Sequence, residues 1–474
     1  MRDRLRPQAF VVALAGAAFL ATFAAAPAPE SSGKIDELVL TQLKTNERTN
    51  VFAKMASDAD LRGAQGIAER VARLNHVHDT LTAHAASSQQ DIIAFLDGQG
   101  IRYESFWINN SVYVYGADRA LVDALAARSD VKYVRGDHEV PLDRPVSVRE
   151  ADAPQAIEWG ITMINADDVW AQGNKGAGVV VASIDTGVRW THDAIDNQYR
   201  GVAGDHDYNW WDPDHTLSVP TDTAGHGTHT MGTMVGDDGG SNQIGVAPQA
   251  KWIAAQGCDS FSCSDFDLTS SAQFITCPTR RDGSAPDCSK APHVINNSWG
   301  GGGGNAWYQS FTDAWFAAGI VPVFSIGNSG PGCNTAGSPG DYKKVIGVGA
   351  VNINSVLASF SSKGPGIFRP LKPDFVAPGD NVRSSFNSGD TAYTNMSGTS
   401  MAAPHVTGTI ALMIHDTPSA SLQDLYNALR GTTVKGLPNP PDPDTCGGKP
   451  YNVYPNFIYG AGRIDALAAV NALP

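Results

Sequence analysis

Cysteine is missing from the first 257 of the 474 residues, and charge is scarce throughout, with Asp, Glu, Lys and Arg making up 17% of the chain. So little charge beside 42% hydrophobic residues excludes a disordered chain and implies a globular protein with a sizeable core. Basic groups are also short, 34 against 48 acidic ones for a net −14. That balance excludes a phosphate-binding surface, and with it nucleic acid as the partner. No CxxC pair and no HExxH occur, which speaks against a zinc centre. Beyond residue 26 no run is long and apolar enough to span a bilayer.

What is present is unevenly spread. Residues 1–150 carry 17 basic and 19 acidic groups, 8 of the 49 Gly and no Cys, whereas residues 151–474 carry 17 basic and 29 acidic groups, 41 Gly and all six Cys. The chain therefore joins two different kinds of protein. Arg2, Arg4 and Arg6 precede an uncharged, Ala-rich run over residues 10–26 that ends in AAAPAP, the order of a secretory signal peptide over residues 1–28. Export predicts disulfides. Fifteen pairings of six cysteines are open, and nearness in sequence suggests Cys258 with Cys263, Cys277 with Cys288, and Cys333 with Cys446.

Residues 29–150 read as a small α+β unit of the split βαβ type. Strands are predicted at 51–55, 103–106, 111–115 and 131–135, with helices at 85–98 and 119–127. Its histidines, His76, His78, His84 and His138, read as solvated. Residues 141–156 are rich in Pro and charge and read as an exposed linker open to proteolysis.

From Gly178 the pattern changes. GVVVASID, KWIAAQG, HVINNS, IVPVFSIGN and KVIGVGAV are near-continuous apolar runs ending in polar residues, with helical segments between them at 305–318 and 400–415. Such runs are strands buried on both faces, so the expected fold is an α/β three-layer sandwich around a mostly parallel sheet. Ligand sites in such sheets lie beyond the carboxyl ends of the strands. The residues that stop the runs are Asp185, Asn296 to Ser298, and Asn328.

Asp185 sits in SIDTGV, His226 in GHGTHTMGT and Ser400 in SGTSMAAPHV, each among small residues. These are the parts of an orienter, base and nucleophile system. The Ser400 segment is not GxSxG, which counts against an α/β-hydrolase esterase.

SIDTG, GHGTH and GTSMAAP, in that order and joined by IGNSG, resemble the signatures of the subtilisin-like serine proteases (subtilases, peptidase S8) over residues 157–468. HDYNWWDP and HGTHTMGTMVG look most like the bacillopeptidase F branch, and KPDFVAPG around Asp374 and the closing YGAGRIDALAAV also resemble the family. The resemblance implies Ser400 as nucleophile, His226 as general base and Asp185 as its orienter. It implies Asn328 as oxyanion donor and Ser298, Trp299 and Gly300 as the backbone lining of the S1 and S2 pockets. The five glycines at 300–304 are either a flexible loop or a shaped, uncharged S1 wall, and the latter suggests apolar or aromatic P1 residues. Ser325 and Ile326 depart from the usual small pair before Gly327, Thr230 follows the HGTH segment, and Thr407 stands where Ala is usual.

The resemblance further implies that residues 29–150 are a propeptide similar to the inhibitor I9 type, acting as intramolecular inhibitor and folding aid with a tail near residues 140–152, and that residues 151–474 are the catalytic domain. The expected product is a secreted, monomeric serine endopeptidase acting on protein or peptide substrates, with no membrane association after processing. The alternative is a subtilase-like binding or scaffold protein that does not cleave. No cofactor is needed for the chemistry; structural calcium is compatible with the family, and Asp205, Asp207, Asp212 and Asp214 lie near one another, either as its ligands or as a solvated acidic loop. His226 and His229, three residues apart, are too few for a metal, and His229, His405 and His192 read as structural.

Overall fold

A computed structural model describes residues 33–142, 145–151, 156–201, 204–260, 262–368 and 371–473. The expected leader lies outside them. Among the described residues no helix is long and apolar enough to cross a membrane.

The leading unit runs α1 (Glu37–Thr45), β1 (Thr49–Met55), α2 (Arg70–Ser88), α3 (Gln90–Asp97), β2 (Tyr103–Phe106), β3 (Ser111–Ala117), α4 (Arg119–Ala127) and β4 (Val131–Gly136). Its sheet has the order β2-β3-β1-β4 and is antiparallel throughout. Strand alternation divides its side chains between two cores. Val51, Ala53, Val112 and Val114 face Val39, Ile92, Leu96, Leu121 and Leu125 of the unit's own helices. Phe52, Phe106 and Tyr113 face the other way, into a cluster shared with Phe266, Trp307 and Phe311 of the second unit. The helix expected over residues 85–98 is two helices that break at Gln89, and the first begins fifteen residues earlier, at Arg70.

The linker expected over residues 141–156 is more ordered than its composition suggests. β5 (Glu139–Pro141) and β6 (Ser147–Glu150) each pair with a strand of the second unit, and Leu142 is buried.

The second unit comprises α5 (Trp159–Met163), α6 (Ala166–Ala171), β7 (Val180–Asp185), β8 (Trp210–Trp211), α7 (His226–Val235), β9 (Lys251–Gln256), β10 (Ser262–Ser264) and α8 (Asp265–Thr276). It continues with β11 (Val294–Asn297), α9 (Gln309–Ala318), β12 (Val321–Ser325), β13 (Ile346–Val351), β14 (Phe375–Pro378), β15 (Val382–Ser385), β16 (Tyr393–Ser397), α10 (Thr399–Asp416), α11 (Leu422–Thr432) and α12 (Ala466–Asn471). Seven strands form one parallel sheet in the order β14-β13-β12-β11-β7-β9-β8. α7 and α10 cover one face, α8 and α9 the other. This is the α/β sandwich expected from the apolar runs.

The chain starts its sheet in the middle, at β7, adds β9 on one side and then β11 on the other. That reversal opens a crevice beyond the carboxyl end of β7. Three disulfides, Cys258–Cys263, Cys277–Cys288 and Cys333–Cys446, pair the cysteines as their nearness suggested.

Candidate active site

Asp185 ends β7 at the centre of the sheet, and His226 opens α7; both are buried, and His226 Nδ1 lies 2.7 Å from Asp185 Oδ1. A carboxylate only accepts, so Nδ1 carries the proton and Nε2 keeps its lone pair. Thr186 N–H donates to the same Oδ1 at 2.8 Å and Thr230 Oγ1 to Oδ2 at 3.3 Å. Glycine is required on both sides of His226. Gly225 has φ +85°, with the Phe386 ring where a Cβ would stand, and a Cβ on Gly227 would meet Gly187 O at 2.0 Å and Asp185 Cβ at 3.1 Å.

A second carboxylate, unread in the sequence, holds the two elements together. Asp222 is buried and accepts from Thr186 Oγ1 (2.8 Å), Gly225 N (2.8 Å), Ala224 N (3.0 Å), Thr228 N (2.8 Å) and Thr228 Oγ1 (2.6 Å). Thr186 Oγ1 in turn accepts from Gly227 N at 3.0 Å. The first turn of α7 and the end of β7 thus share one anchor. An acidic residue four positions before a helix-opening His was the available signal.

Ser400 is the second residue of α10, which packs against α7. Its Oγ lies 3.3 Å from the carbonyl of Ser298, and Ser298 Oγ donates to the carbonyl of Ser400 at 2.8 Å. Sequence explains why that carbonyl is available. Its helical partner would be residue 404, which is Pro404 and has no N–H.

Asn328 follows β12, and its Oδ1 accepts from Thr399 N (2.8 Å) and Thr399 Oγ1 (2.9 Å). The two donors fix the amide, so Nδ2 points elsewhere. Among the described residues this Nδ2 is buried with no hydrogen-bond partner, and it would sit 3.5 Å from a Cβ on Gly398, two residues before Ser400. An unpaired buried donor costs about 1–3 kcal/mol. It stands beside the N-terminus of α10, where the helix dipole already favours negative charge.

Ser298, Trp299 and Gly300 follow β11 directly. The Trp299 ring is buried among Tyr308 and Phe324, so this residue offers the site its backbone and not its side chain. A Cβ on Gly300 would meet Ser338 O at 3.0 Å.

The remaining histidines and acids have other duties. His229 Nε2 donates to Val382 O at 3.0 Å, and burial, with His226 next to it, pushes its ring down to about 3. Burial likewise holds His405 down to about 4, and His192 sits against Ala392 O. Asp374 pairs with buried Lys372 away from the site. Asp212 accepts three bonds from Thr216 and Leu217, Asp207 takes Arg281, and Asp205 accepts from Asp207 N. Asp205 and Asp212 thus accept within their own loop and Asp207 reaches Arg281, and among the described residues these carboxylates do not gather within metal-binding distance of one another. Among the described residues only His78, Cys277 and Cys288 approach metal-binding distances, and both cysteines are in a disulfide.

A sequence model of the subtilase family (peptidase S8) matches residues 176–462. Bacillopeptidase F of Bacillus subtilis (strain 168) is 36% identical over 423 residues, 84% of this chain but 28% of its own length. Subtilisin DY of Bacillus licheniformis is 34% identical over 66% of this chain and 99% of its own, and subtilisin E of Bacillus subtilis (strain 168) 30% identical over 82% and 88%. The match to bacillopeptidase F thus spans little more than a quarter of that relative. With the parallel sheet, the motifs at its carboxyl edge and these likenesses together, the chain belongs to the subtilase family of serine endopeptidases.

Proposed function

We propose that the chain is a secreted endopeptidase made as a self-processing zymogen, with Ser400, His226 and Asp185 as its catalytic triad. The observation that carries this reading is the buried 2.7 Å bond between His226 Nδ1 and Asp185, which leaves Nε2 as the base. Ser400 Oγ attacks the peptide carbonyl while His226 takes its proton, and the carbonyl oxygen becomes an oxyanion held by Asn328 Nδ2 and Ser400 N–H. His226 then returns the proton to the leaving amine; a water activated by the same ring releases the acyl group. Asp185 stabilises the imidazolium in both steps.

Ser298, Trp299 and Gly300 present backbone to the substrate, and uncharged glycine around them favours apolar or aromatic P1 residues.

Residues 29–150 act as the propeptide in this reading, and 151–474 as the catalytic domain. β5 lies antiparallel on β10, with buried Val140 near Gly301. Val146 N then donates to Ser397 O at 2.7 Å and β6 pairs with β16, which ends three residues before Ser400. The chain is thus held on both sides of the α10 N-terminus, so in this reading the tail of the leading unit is presented to Ser400 for cleavage. The remaining contacts keep the leading unit over the cleft as an inhibitor.

Ser400→Ala tests the reading. The variant accumulates as precursor when produced alone, while wild type separates into two fragments; normal processing of the variant overturns self-cleavage.

A further inference from the structure

We propose that the Cys258–Cys263 disulfide is a positioning clamp that holds the peptide-binding edge of the cleft in its bound shape, so that substrates reaching beyond P1 depend on it. The inference rests on the endopeptidase reading above.

β10 is three residues long and lies outside the seven-stranded sheet; among the described residues its only strand partner is β5. Once β5 leaves, nothing in the sheet holds this edge. So short a strand without a ladder is not stable by itself. Other attachments remain, two of them to the body of the second unit. At its far end Ser264 caps α8, accepting from Asp267 N at 3.0 Å. At its middle residue Cys263, buried and directly opposite Val140 in the register, is bonded to Cys258.

Cys258 is itself fixed to the catalytic strand. The N–H groups of Gly257 and Cys258 both donate to the carbonyl of Asp185, at 3.1 and 3.2 Å. A bracket of two hydrogen bonds and one disulfide therefore runs from the Asp185 backbone to β10, the strand now paired with β5 and, in this reading, with an incoming peptide once β5 has left. Within the ring, Asp259 N donates to Ser262 O and Ser262 N to Asp259 Oδ1, both at 2.8 Å.

Opening the ring leaves β10 to be ordered by each peptide that binds, and that ordering is subtracted from affinity. A substrate whose acyl part ends at P1 does not pair with β10 and is less affected. The disulfide acts on extended-substrate binding through β10 and not on the reacting atoms.

The test compares processed wild type with Cys258→Ser/Cys263→Ser, using a tetrapeptide anilide and an N-acetyl amino-acid ester with the same P1 residue. The ratio of their kcat/KM values falls about tenfold in the variant, mainly through KM for the anilide. Cys277→Ser/Cys288→Ser, which opens a disulfide on the other side of α8, leaves the ratio as in wild type. If the serine pair does not fold, Cys258→Ala/Cys263→Ala, which removes both sulfurs without burying a hydroxyl, is read identically. A ratio equal to wild type with both substrates cleaved overturns the clamp alone. A wild type that cleaves neither overturns the endopeptidase reading and the clamp with it.

Discussion

The two units of this chain cover their sheets in different ways. The seven-stranded sheet is sandwiched by its own helices, α7 and α10 on one face and α8 and α9 on the other. The leading sheet has α1, α3 and α4 on one face, and its second face, with Phe52, Phe106 and Tyr113, joins Leu74, Val77 and Leu81 of α2 in a cluster that the partner unit completes. One unit is self-sufficient and the other borrows part of its core. If the leading unit is the proposed propeptide, this construction suits it, because separation from the second unit exposes its apolar face.

Three measurements break or sharpen that contrast. Phe52 is fully buried, with Trp307 of the second unit 5.1 Å away, centroid to centroid. Phe52→Ala in the precursor is expected to cost about 3–5 kcal/mol, read as earlier denaturant-induced loss of the leading unit. The enzyme that does mature then has wild-type kinetics, since Phe52 is no longer part of it.

The second measurement concerns the self-sufficient unit. Asn328→Ala lowers kcat by about 10²–10³, a scale known from subtilisin and not obtained from this geometry, with little change in KM. Its melting temperature stays close to that of wild type. A stability loss matching the activity loss would mean that Asn328 serves the fold.

The smallest effect concerns pH and the borrowed face. Asp137 caps α8 through Phe266 N and accepts from Tyr113 OH; burial pushes its carboxyl up from 3.8 to about 6. Burial also raises Asp267 to about 7, with Asp214, Asp137 and Glu139 nearby. Arg135 pairs with buried Asp265 and leaves both unpartnered by a cation. Each raised carboxyl favours the protonated, docked state, so the docking contribution is fully present below the ordinary value of 3.8 and is lost as pH rises through about 6 to 7. The leading unit should dissociate more readily at pH 8 than at pH 5 in a competition assay, and Asp137→Asn should flatten that dependence.

The parts of this molecule that were legible in its sequence are those where side chains carry the signal. Apolar runs ended by Asp185, Asn297 and Asn328 gave the strands of the parallel sheet, because strands buried on both faces tolerate little else. The triad candidates stood out through the glycines that close approach demands. α2 was missed although Leu74, Val77, Leu81 and Ala85 keep helical spacing, because the rest of its length is polar and its apolar stripe is narrow. β5 and β6 left no pattern at all. They pair through backbone atoms across units, and their composition of Pro and charge resembles a linker. Asp222 and Thr399 were invisible for a related reason, since each acts by holding another residue and not by reacting.

The central claim is that Ser400 is activated by His226 in the second unit's crevice. Treating the processed enzyme with a fluorophosphonate and mapping the adduct by mass spectrometry tests it most directly. The account predicts one adduct, on Ser400, that is lost in His226→Ala; labelling at another residue, or equal labelling of the His226 variant, would contradict it.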